Sequence, residues 1–275
     1  MNILYDEIIQ RALLKNIGTS DITTMSVVDK ELECKGNFIA KEDGVICGMN
    51  VVKRLYELLD NKIKIDVFYD DKSFVKKGDI IASISGKAAP ALIGERIALN
   101  FLQHLSAIAT KTQKCVKAIE GTGAKITDTR KTTPGLLVLE KYAVKTGGGM
   151  NHRYNLSGGI LIKDNHIKAA GGVKKAISKA RQNAPHTLKI EVEVENMDML
   201  EEALEGKADI IMLDNMNLDE MKKAVDIVGG RALVEASGNM GEKDLKKVAE
   251  TGVDFISVGA LTHSVKAMDI SLRFL

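Results

Sequence analysis

The sequence predicts an α/β protein whose larger, C-terminal part is a parallel β/α barrel. From about residue 124 onward, short apolar segments typical of strands alternate with amphipathic segments typical of helices, which indicates βαβ units. At least six strand candidates follow one another without a long interruption, and this favours a closed barrel. Polar residues collect at the ends of these candidates, where a β/α barrel keeps its active site. The spacing leaves an open doubly wound sheet as the alternative.

The first third of the chain has a different pattern. Apolar residues recur at helical spacing over residues 1–20 and predict an amphipathic helix. Turn residues then separate short segments with strand character, which are Lys35–Lys41, Gly44–Gly48, Lys64–Tyr69 and Asp79–Ser85. A long helix is predicted over Pro90–Ile119, because proline suits the first turn of a helix and the leucines that follow give it a buried face.

The second part of the chain supplies the predicted barrel. Its strand candidates are Ala124–Asp128, Gly159–Lys163, Leu188–Val194, Asp209–Leu213, Arg231–Glu235 and Phe255–Val258. The helices predicted between them are Val173–Asn183, Met197–Glu205, Leu218–Val228 and Glu242–Gly252. Since the carboxyl ends of parallel strands meet at one edge of a sheet, the polar residues there are expected to form one site.

Composition excludes several classes of protein. With 39 basic and 37 acidic side chains the net charge is +2, which does not favour a nucleic-acid-binding protein. Apolar stretches such as Ala208–Leu213 fall far short of the roughly 20 residues that cross a bilayer, so no membrane partner is expected. The three cysteines form no CxxC pair and the N-terminus does not have the pattern of a secretory signal, which predicts a reducing, cytoplasmic location.

Basic residues at predicted strand ends point to an anion site. They are Arg130, Lys131, His152, Arg153 and Lys163. Arginine is suited to the bidentate capture of carboxylates and phosphates. A solvated basic surface is the alternative, but that fate is commoner on helix faces than at strand ends.

Acidic and glycine-containing strand ends complete the expected site. Glu193 and Asp214 end successive strands, and hard oxygen ligands of this kind fit Mg²⁺ shared with substrate phosphates. Ser237 with Gly238, and Gly259, end the last two strands, where β/α barrels often bind phosphate. A solvent-facing strand side and simple turns are the respective alternatives. Together the residues predict an anionic ligand pair, one member carrying phosphate, with no activated nucleophile.

These motifs closely resemble the quinolinate phosphoribosyltransferase family. The resemblance rests on Thr129–Gly135, Gly147–Gly149 with His152 and Arg153, Ile162–His166, Glu191–Glu195, Leu213–Asn215, Glu235–Gly238 and Gly259–His263. Before the barrel it includes Asn16–Gly18, Asp21–Thr24, Glu95 with Arg96, and Leu99–Leu102, so it covers nearly the whole chain. The family often has glycine where this chain has Asn239, a residue that tolerates a left-handed backbone.

The resemblance implies a fold and a reaction. The fold is that of the type II phosphoribosyltransferases, with an N-terminal α/β sandwich (1–105, against which 265–275 packs) and an incomplete, open α/β barrel (106–264). The reaction joins quinolinate to phosphoribosyl pyrophosphate (PRPP), with Mg²⁺, and yields nicotinate mononucleotide, pyrophosphate and CO₂ for NAD synthesis. The expected assembly is a homodimer with shared active sites, or a higher assembly.

The resemblance also implies roles for single residues. Arg130, His152 and Arg153 would hold the quinolinate carboxylates together with Arg96 of the partner subunit. Lys131 and Lys163 would contact PRPP and the departing pyrophosphate. Glu193 and Asp214 would bind the ribose hydroxyls and Mg²⁺. Ser237, Gly238 and Gly259 would hold the 5′-phosphate.

Three other functions are weighed against this one. They are a molybdenum-transport-associated homologue with a different acceptor, a nicotinate phosphoribosyltransferase, and a non-catalytic phosphate-sugar binding protein. The complete set of cations favours a dicarboxylate acceptor, and a mere binding protein leaves Glu193 and Asp214 unexplained.

Overall fold

The computed structural model describes residues 3–275, so the first two residues of the predicted N-terminal helix lie outside it. Its helices are α1 Ile3–Ile17, α2 Ile22–Val27, α3 Met49–Leu59, α4 Ala88–Ala118, α5 Leu137–Thr146, α6 Asp164–Ala170, α7 Val173–Asn183, α8 Met197–Glu205, α9 Leu218–Val228, α10 Leu245–Ala249 and α11 Ala260–His263. Its strands are β1 Glu33–Ala40, β2 Gly44–Val45, β3 Lys64–Val67, β4 Phe74–Val75, β5 Ile80–Lys87, β6 Lys125–Thr127, β7 Ile160–Ile162, β8 Ile190–Val194, β9 Ile210–Asp214, β10 Leu233–Ser237, β11 Phe255–Ser257 and β12 Ile270–Phe274.

The chain forms two compact units, each built from more than one segment. The first unit comprises 1–113, 133–148 and 265–275, and the second comprises 114–132 and 149–264. No helix within residues 3–275 is both long and apolar enough to cross a bilayer.

An antiparallel sheet forms the centre of the first unit. Its strand order is β12-β1-β5-β3, and Gly36 through Ala40 of β1 pair with Phe274 through Ile270 of β12. Alternate residues of β1, including Phe38 and Ala40, are fully buried, as expected of a strand with one face on a core.

Helix α5 belongs to the first unit although it follows β6 of the second. Its apolar side chains, such as Leu139 and Val144, are fully buried. Gly147 ends the helix against α4, where an added Cβ would lie 2.3 Å from the Ala109 carbonyl oxygen. Only glycine permits this approach. The predicted division at residue 105 did not include this return of 133–148 to the first unit.

The second unit is built on a parallel sheet of six strands. Their order is β6-β11-β10-β9-β8-β7, and β6 and β7 form its two edges. The closed barrel favoured by the strand spacing is therefore wrong, because β6 and β7 are consecutive along the chain but stay unpaired edge strands of this sheet, which spacing alone does not reveal. The open barrel expected from the family resemblance is confirmed. Met150 forms a single parallel bridge to Thr127, the last residue of the edge strand β6.

Capping residues explain where the barrel helices begin. Asn196 accepts a hydrogen bond from Met199 N–H at the start of α8. Asn217 and Glu220 form a reciprocal capping box at the start of α9. Such caps satisfy backbone donors that have no partner in the first turn, and each contributes about 1 kcal/mol.

Candidate active site

The carboxyl ends of the parallel strands bring most of the predicted residues to one end of the sheet. Arg130 and Lys131 follow β6, Lys163 follows β7, Glu193 lies in β8, Asp214 ends β9, Ser237 ends β10, and Gly259 follows β11. This is the end at which β/α folds bind their ligands.

Lys163 and Glu193 connect two neighbouring strands. Lys163 Nζ lies 2.5 Å from Glu193 Oε2. The Lys163 side chain is about half exposed, whereas that of Glu193 is 17% exposed. The ammonium group therefore sits at the mouth of the site, where it can contact a bound anion.

Asp214 lies on the next strand, close to these charges. Burial and the charge of Glu193 raise its pKa, and the nearby Lys163 and a hydrogen bond from Asn215 only partly oppose the rise. Two carboxylates this close favour a further positive group between them. Their oxygens fit Mg²⁺, which prefers one or two carboxylates plus substrate phosphates.

The turn after β10 requires glycine at Gly238. Its φ is +92°, and an added Cβ would lie 2.1 Å from Asn215 Oδ1. Asn215 N–H donates to the Ser237 carbonyl oxygen at 3.1 Å, which fixes the two turns together. Asn239 adopts φ +50°, the left-handed conformation that asparagine tolerates. Because Gly238 has no side chain, the backbone of this turn can approach a phosphate closely.

Lys131 is tied to the same end of the sheet. Its carbonyl oxygen accepts a hydrogen bond of 2.6 Å from Thr262 Oγ1. Its side chain passes over Gly259, where an added Cβ would meet Lys131 Cδ at 3.4 Å. The ammonium stem therefore runs beside the predicted phosphate turn.

Arg153 is a partly buried cation that makes no ion pair with a carboxylate among residues 3–275. Its Nη1 donates to the Gly159 carbonyl oxygen at 2.8 Å, and its Nε is buried without a hydrogen-bond partner among the described residues. Burial and the charge of Arg130 lower the pKa of Arg153, which the charge of Glu191 only partly offsets. Two arginines that repel each other across a partly buried space favour an anion between them.

His152 is already engaged on both ring nitrogens. Its Nε2 lies 2.9 Å from Glu191 Oε2, and its Nδ1 accepts a hydrogen bond of 2.9 Å from Arg153 N–H. Its backbone N–H donates to Asp128 Oδ1 at 2.9 Å. In this arrangement His152 supports the anion site rather than facing it with a free nitrogen.

Two buried glutamates beneath these cations were not predicted as site residues. Glu191 and Glu235 are 4% and 3% exposed, and one oxygen of each has no hydrogen-bond partner within the described residues. Their oxygens and a ring nitrogen of His152 all lie within 4.8 Å of one another. Burial and the charge of Glu191 raise the pKa of Glu235 to about 7. Both glutamates lie in segments that carry the family resemblance, Glu191–Glu195 and Glu235–Gly238, but neither was assigned a role there.

A cavity of about 370 Å³ adjoins this cluster. Glu191 and Glu235 line it together with Ile160, Ile210 and Phe255, which begin β7, β9 and β11. The cavity therefore lies toward the amino ends of the strands. It is large enough to hold water beside the unpartnered carboxylate oxygens.

Two domain models of one protein family match nearly the whole chain. The model of the quinolinate phosphoribosyl transferase N-terminal domain matches residues 21–106, and that of its C-terminal domain matches residues 108–273. The chain belongs to the quinolinate phosphoribosyltransferase family. The predicted family membership is thereby confirmed.

Individual relatives of the family are similar over their whole length. The probable nicotinate-nucleotide pyrophosphorylase (carboxylating) of Bacillus subtilis is 43% identical over 266 residues, which cover 97% of this chain and 92% of that protein. The structure of NadC from Streptococcus pyogenes matches with a TM-score of 0.91 and 41% identity, over 98% of this chain and 96% of that one. The nicotinate-nucleotide pyrophosphorylase of Ehrlichia chaffeensis matches with a TM-score of 0.96 and 39% identity, over 100% of both chains.

Arg96 is the remaining residue predicted from the quinolinate phosphoribosyltransferase resemblance. It is exposed on α4, within the first unit. Its expected action in the site of a partner subunit stays a prediction.

Proposed function

We propose that this member of the family transfers the phosphoribosyl group of PRPP to the ring nitrogen of quinolinate. The products are nicotinate mononucleotide, pyrophosphate and CO₂, in de novo NAD biosynthesis. The observation that carries the proposal is the division of charge among the predicted site residues of the second unit. Within the part of the chain that the structure describes, Arg130 and Arg153 form no ion pair with a carboxylate, whereas Lys163 lies close to Glu193 and Asp214.

The arginine side suits the acceptor acid. Quinolinate carries two adjacent carboxylates, and Arg130 and Arg153 offer two guanidinium groups close enough to repel each other when no anion is bound. Each charge-assisted hydrogen bond contributes about 1.5–3 kcal/mol, so several are needed to hold a dianion against water. A monocarboxylate such as nicotinate would leave part of this positive charge unmatched.

The lysine side suits PRPP. The pyridine nitrogen has a free lone pair, so its attack on the ribose needs no general base. As pyrophosphate leaves, positive charge develops on the ribose, and the carboxylates of Glu193 and Asp214 would stabilise it. Lys131 and Lys163 offset the negative charge of the leaving pyrophosphate.

We propose that Glu193 and Asp214 also hold Mg²⁺, directly or through the ribose hydroxyls. When bound, the ion supplies charge stabilisation for the pyrophosphate. The raised pKa of Asp214, caused by burial and by Glu193, supports a positive group at this place. The Ser237–Gly238 turn and Gly259 would receive the 5′-phosphate.

Decarboxylation follows from the chemistry of the product ring. Once ribosylated, the ring nitrogen is cationic and stabilises the electron pair that remains on C2 when the adjacent carboxylate leaves as CO₂. C2 then takes up a proton from water. The arginines hold the other carboxylate and keep the ring in place. No covalent enzyme intermediate is required.

Assembly and location are part of the same proposal. We propose a homodimer in which Arg96 of the partner subunit completes the acid site. Cys34, Cys47 and Cys115 form no disulfide within the described residues, which supports a reducing compartment, the cytoplasm.

The deciding experiment measures nicotinate mononucleotide and CO₂ formed from quinolinate, PRPP and Mg²⁺, with nicotinate as the control acid. We expect both products in equal amounts from quinolinate and none from nicotinate. Turnover of nicotinate would favour the monocarboxylate enzyme. Absence of product from protein that binds PRPP would favour the molybdenum-transport-associated homologue with another acceptor.

A further inference from the structure

Two buried carboxylates beneath an anion site need an explanation, because their charge opposes the binding of a dianion. Glu191 Oε2 lies 2.9 Å from His152 Nε2, and the His152 side chain is 13% exposed. In a site largely withdrawn from water this contact is strong only if the ring donates a proton.

Neighbouring backbone determines which nitrogen carries that proton. His152 Nδ1 accepts a hydrogen bond from Arg153 N–H and therefore has a lone pair there. The ring proton must then reside on Nε2, from which it points to Glu191. One hydrogen bond at each nitrogen thus selects a single tautomer and a single ring orientation.

The ring also connects β8 to the backbone of Arg153. Arg153 N–H is held by His152 Nδ1, and Arg153 Nη1 is held by the Gly159 carbonyl oxygen. The preceding residues are held by Asp128, which accepts from His152 N–H and from Asn151 Nδ2. If Glu191 could not accept the ring proton, the ring would lose its contact at Nε2, and the hydrogen bond from Arg153 N–H to Nδ1 would lose that support.

We propose that Glu191 is a positioning residue of the acid-binding site, which holds the His152 ring as the Nε2–H tautomer and through it fixes the backbone of Arg153. The inference rests on the proposed function, because it assigns Arg153 to the quinolinate carboxylates. Glu235 is the neighbouring buried acid, and burial and the charge of Glu191 raise its pKa.

Two substitutions of Glu191 separate positioning from packing. Glu191→Gln keeps an amide oxygen that can accept from Nε2–H. Glu191→Met has similar length and packs in apolar surroundings, but offers no comparable acceptor. Glu201→Gln, at an exposed acid on α8, is the control for the loss of one negative charge.

We expect Glu191→Met to lower kcat/KM for quinolinate by about 10- to 100-fold, the range seen when an orienting partner of a functional histidine is removed. PRPP affinity, measured by calorimetry, should stay within about twofold, and Glu191→Gln should recover most of the loss. In a His152→Ala background, Glu191→Met should add little, because the residue acts through the ring. The proposal would be overturned if Glu191→Met lowered kcat/KM by the same factor in the His152→Ala background as in the wild type. It would also be overturned if the variant lost PRPP affinity by as much as it lost kcat/KM for quinolinate.

The tautomer itself is measured by ¹⁵N NMR of the substrate-free protein, with the His152 signals assigned from the His152→Ala spectrum. We expect the Nε2–H form in the wild type and its loss in Glu191→Met. An Nδ1–H form in the wild type would overturn the proposal even if Glu191→Met failed to fold. This measurement needs no turnover, so it still decides the inference if quinolinate proves not to be the substrate.

Discussion

Lys163 and Glu193 form an ion pair of 2.5 Å that joins the carboxyl ends of two adjacent strands, β7 and β8. The pair places a half-exposed ammonium group next to two carboxylates, one of them Asp214 with a raised pKa. The balance of charge in the site therefore depends on this one lysine.

Lys163→Met should remove most of the activity. We expect kcat to fall by about 10²- to 10³-fold, the cost of losing one group aimed at developing negative charge. The substitution also leaves Glu193 without its cation. Because the charge of Lys163 lowers the pKa of Asp214, its removal should raise that pKa further. Steady-state kinetics measure the loss, and Lys168→Met, at an exposed lysine on α6, is the control. An unchanged kcat would remove Lys163 from the reaction.

Arg153→Ala should weaken the use of quinolinate while PRPP binding largely survives. Among the residues that the structure describes, no carboxylate forms an ion pair with this guanidinium group, and the positive charge of Arg130 lies nearby. We expect kcat/KM for quinolinate to fall by at least 100-fold, since two charge-assisted hydrogen bonds are lost. Calorimetry with PRPP supplies the second readout. Equal loss of both affinities would contradict the assignment to the acid.

Gly238→Ala should disrupt the turn after β10. The added Cβ would lie 2.1 Å from Asn215 Oδ1 at a residue with φ +92°. We expect PRPP affinity to fall at least tenfold. Gly230→Ala is the matched control, because Gly230 has φ +76° with nothing within 4 Å of an added Cβ. It should show only the backbone cost of about 1–2 kcal/mol in the free energy of unfolding, with PRPP affinity intact.

Glu235 should make the stability of the protein depend on pH. Its pKa is about 7 in the folded protein against 4.5 for the free group, so the folded state binds the proton more tightly. This contribution is fully present below pH 4.5 and is lost as the pH rises through 7. The wild type therefore loses stability between pH 5 and pH 8, whereas Glu235→Gln does not. The free energy of unfolding of the variant minus that of the wild type should be larger at pH 8 than at pH 5, by on the order of 3 kcal/mol. Denaturant unfolding at both pH values measures the difference, and an equal difference at both would contradict the prediction.

Mixing two inactive variants should restore activity if sites are shared between subunits. Arg96→Ala and Lys163→Ala dimers each lack one group in every site. In a mixed dimer, one site regains both groups, so up to about a quarter of wild-type activity is expected in an equal mixture with random exchange. Native mass spectrometry verifies that heterodimers are present. No recovery in verified heterodimers would place Arg96 outside the site.

Much of the second unit could be predicted from sequence because its signals are local. The bounds of α7, α8 and α9 agree with the predicted segments, since apolar spacing and capping residues such as Asn217 mark both. The predicted Glu242–Gly252 helix is shorter in the structure, where α10 begins after the Asp244 cap. Strand β4 was not predicted, because its two residues are too few to show the alternation that marks a strand.

The contacts that shape the site depend on register, which a single sequence does not show. The approach of Glu191 to His152 joins residues 39 positions apart, and that of Glu235 depends on its place in β10, two strands away from β8 in the sheet. Strand β12 was expected only as part of a packed segment, because its partner β1 lies more than 200 residues earlier. The pattern predicted which residues reach the strand ends, and packing decides which of them touch.

The pairing of β12 with β1 also has a consequence for folding on the ribosome. Until residues 270–274 have emerged, β1 lacks one neighbour and presents unpaired backbone groups along an edge. An exposed edge of this kind can pair with another nascent chain. The sheet of the first unit therefore stays incomplete while the more than 200 residues between β1 and β12 are synthesised, which makes translation speed and chaperone supply matter for the yield of this protein.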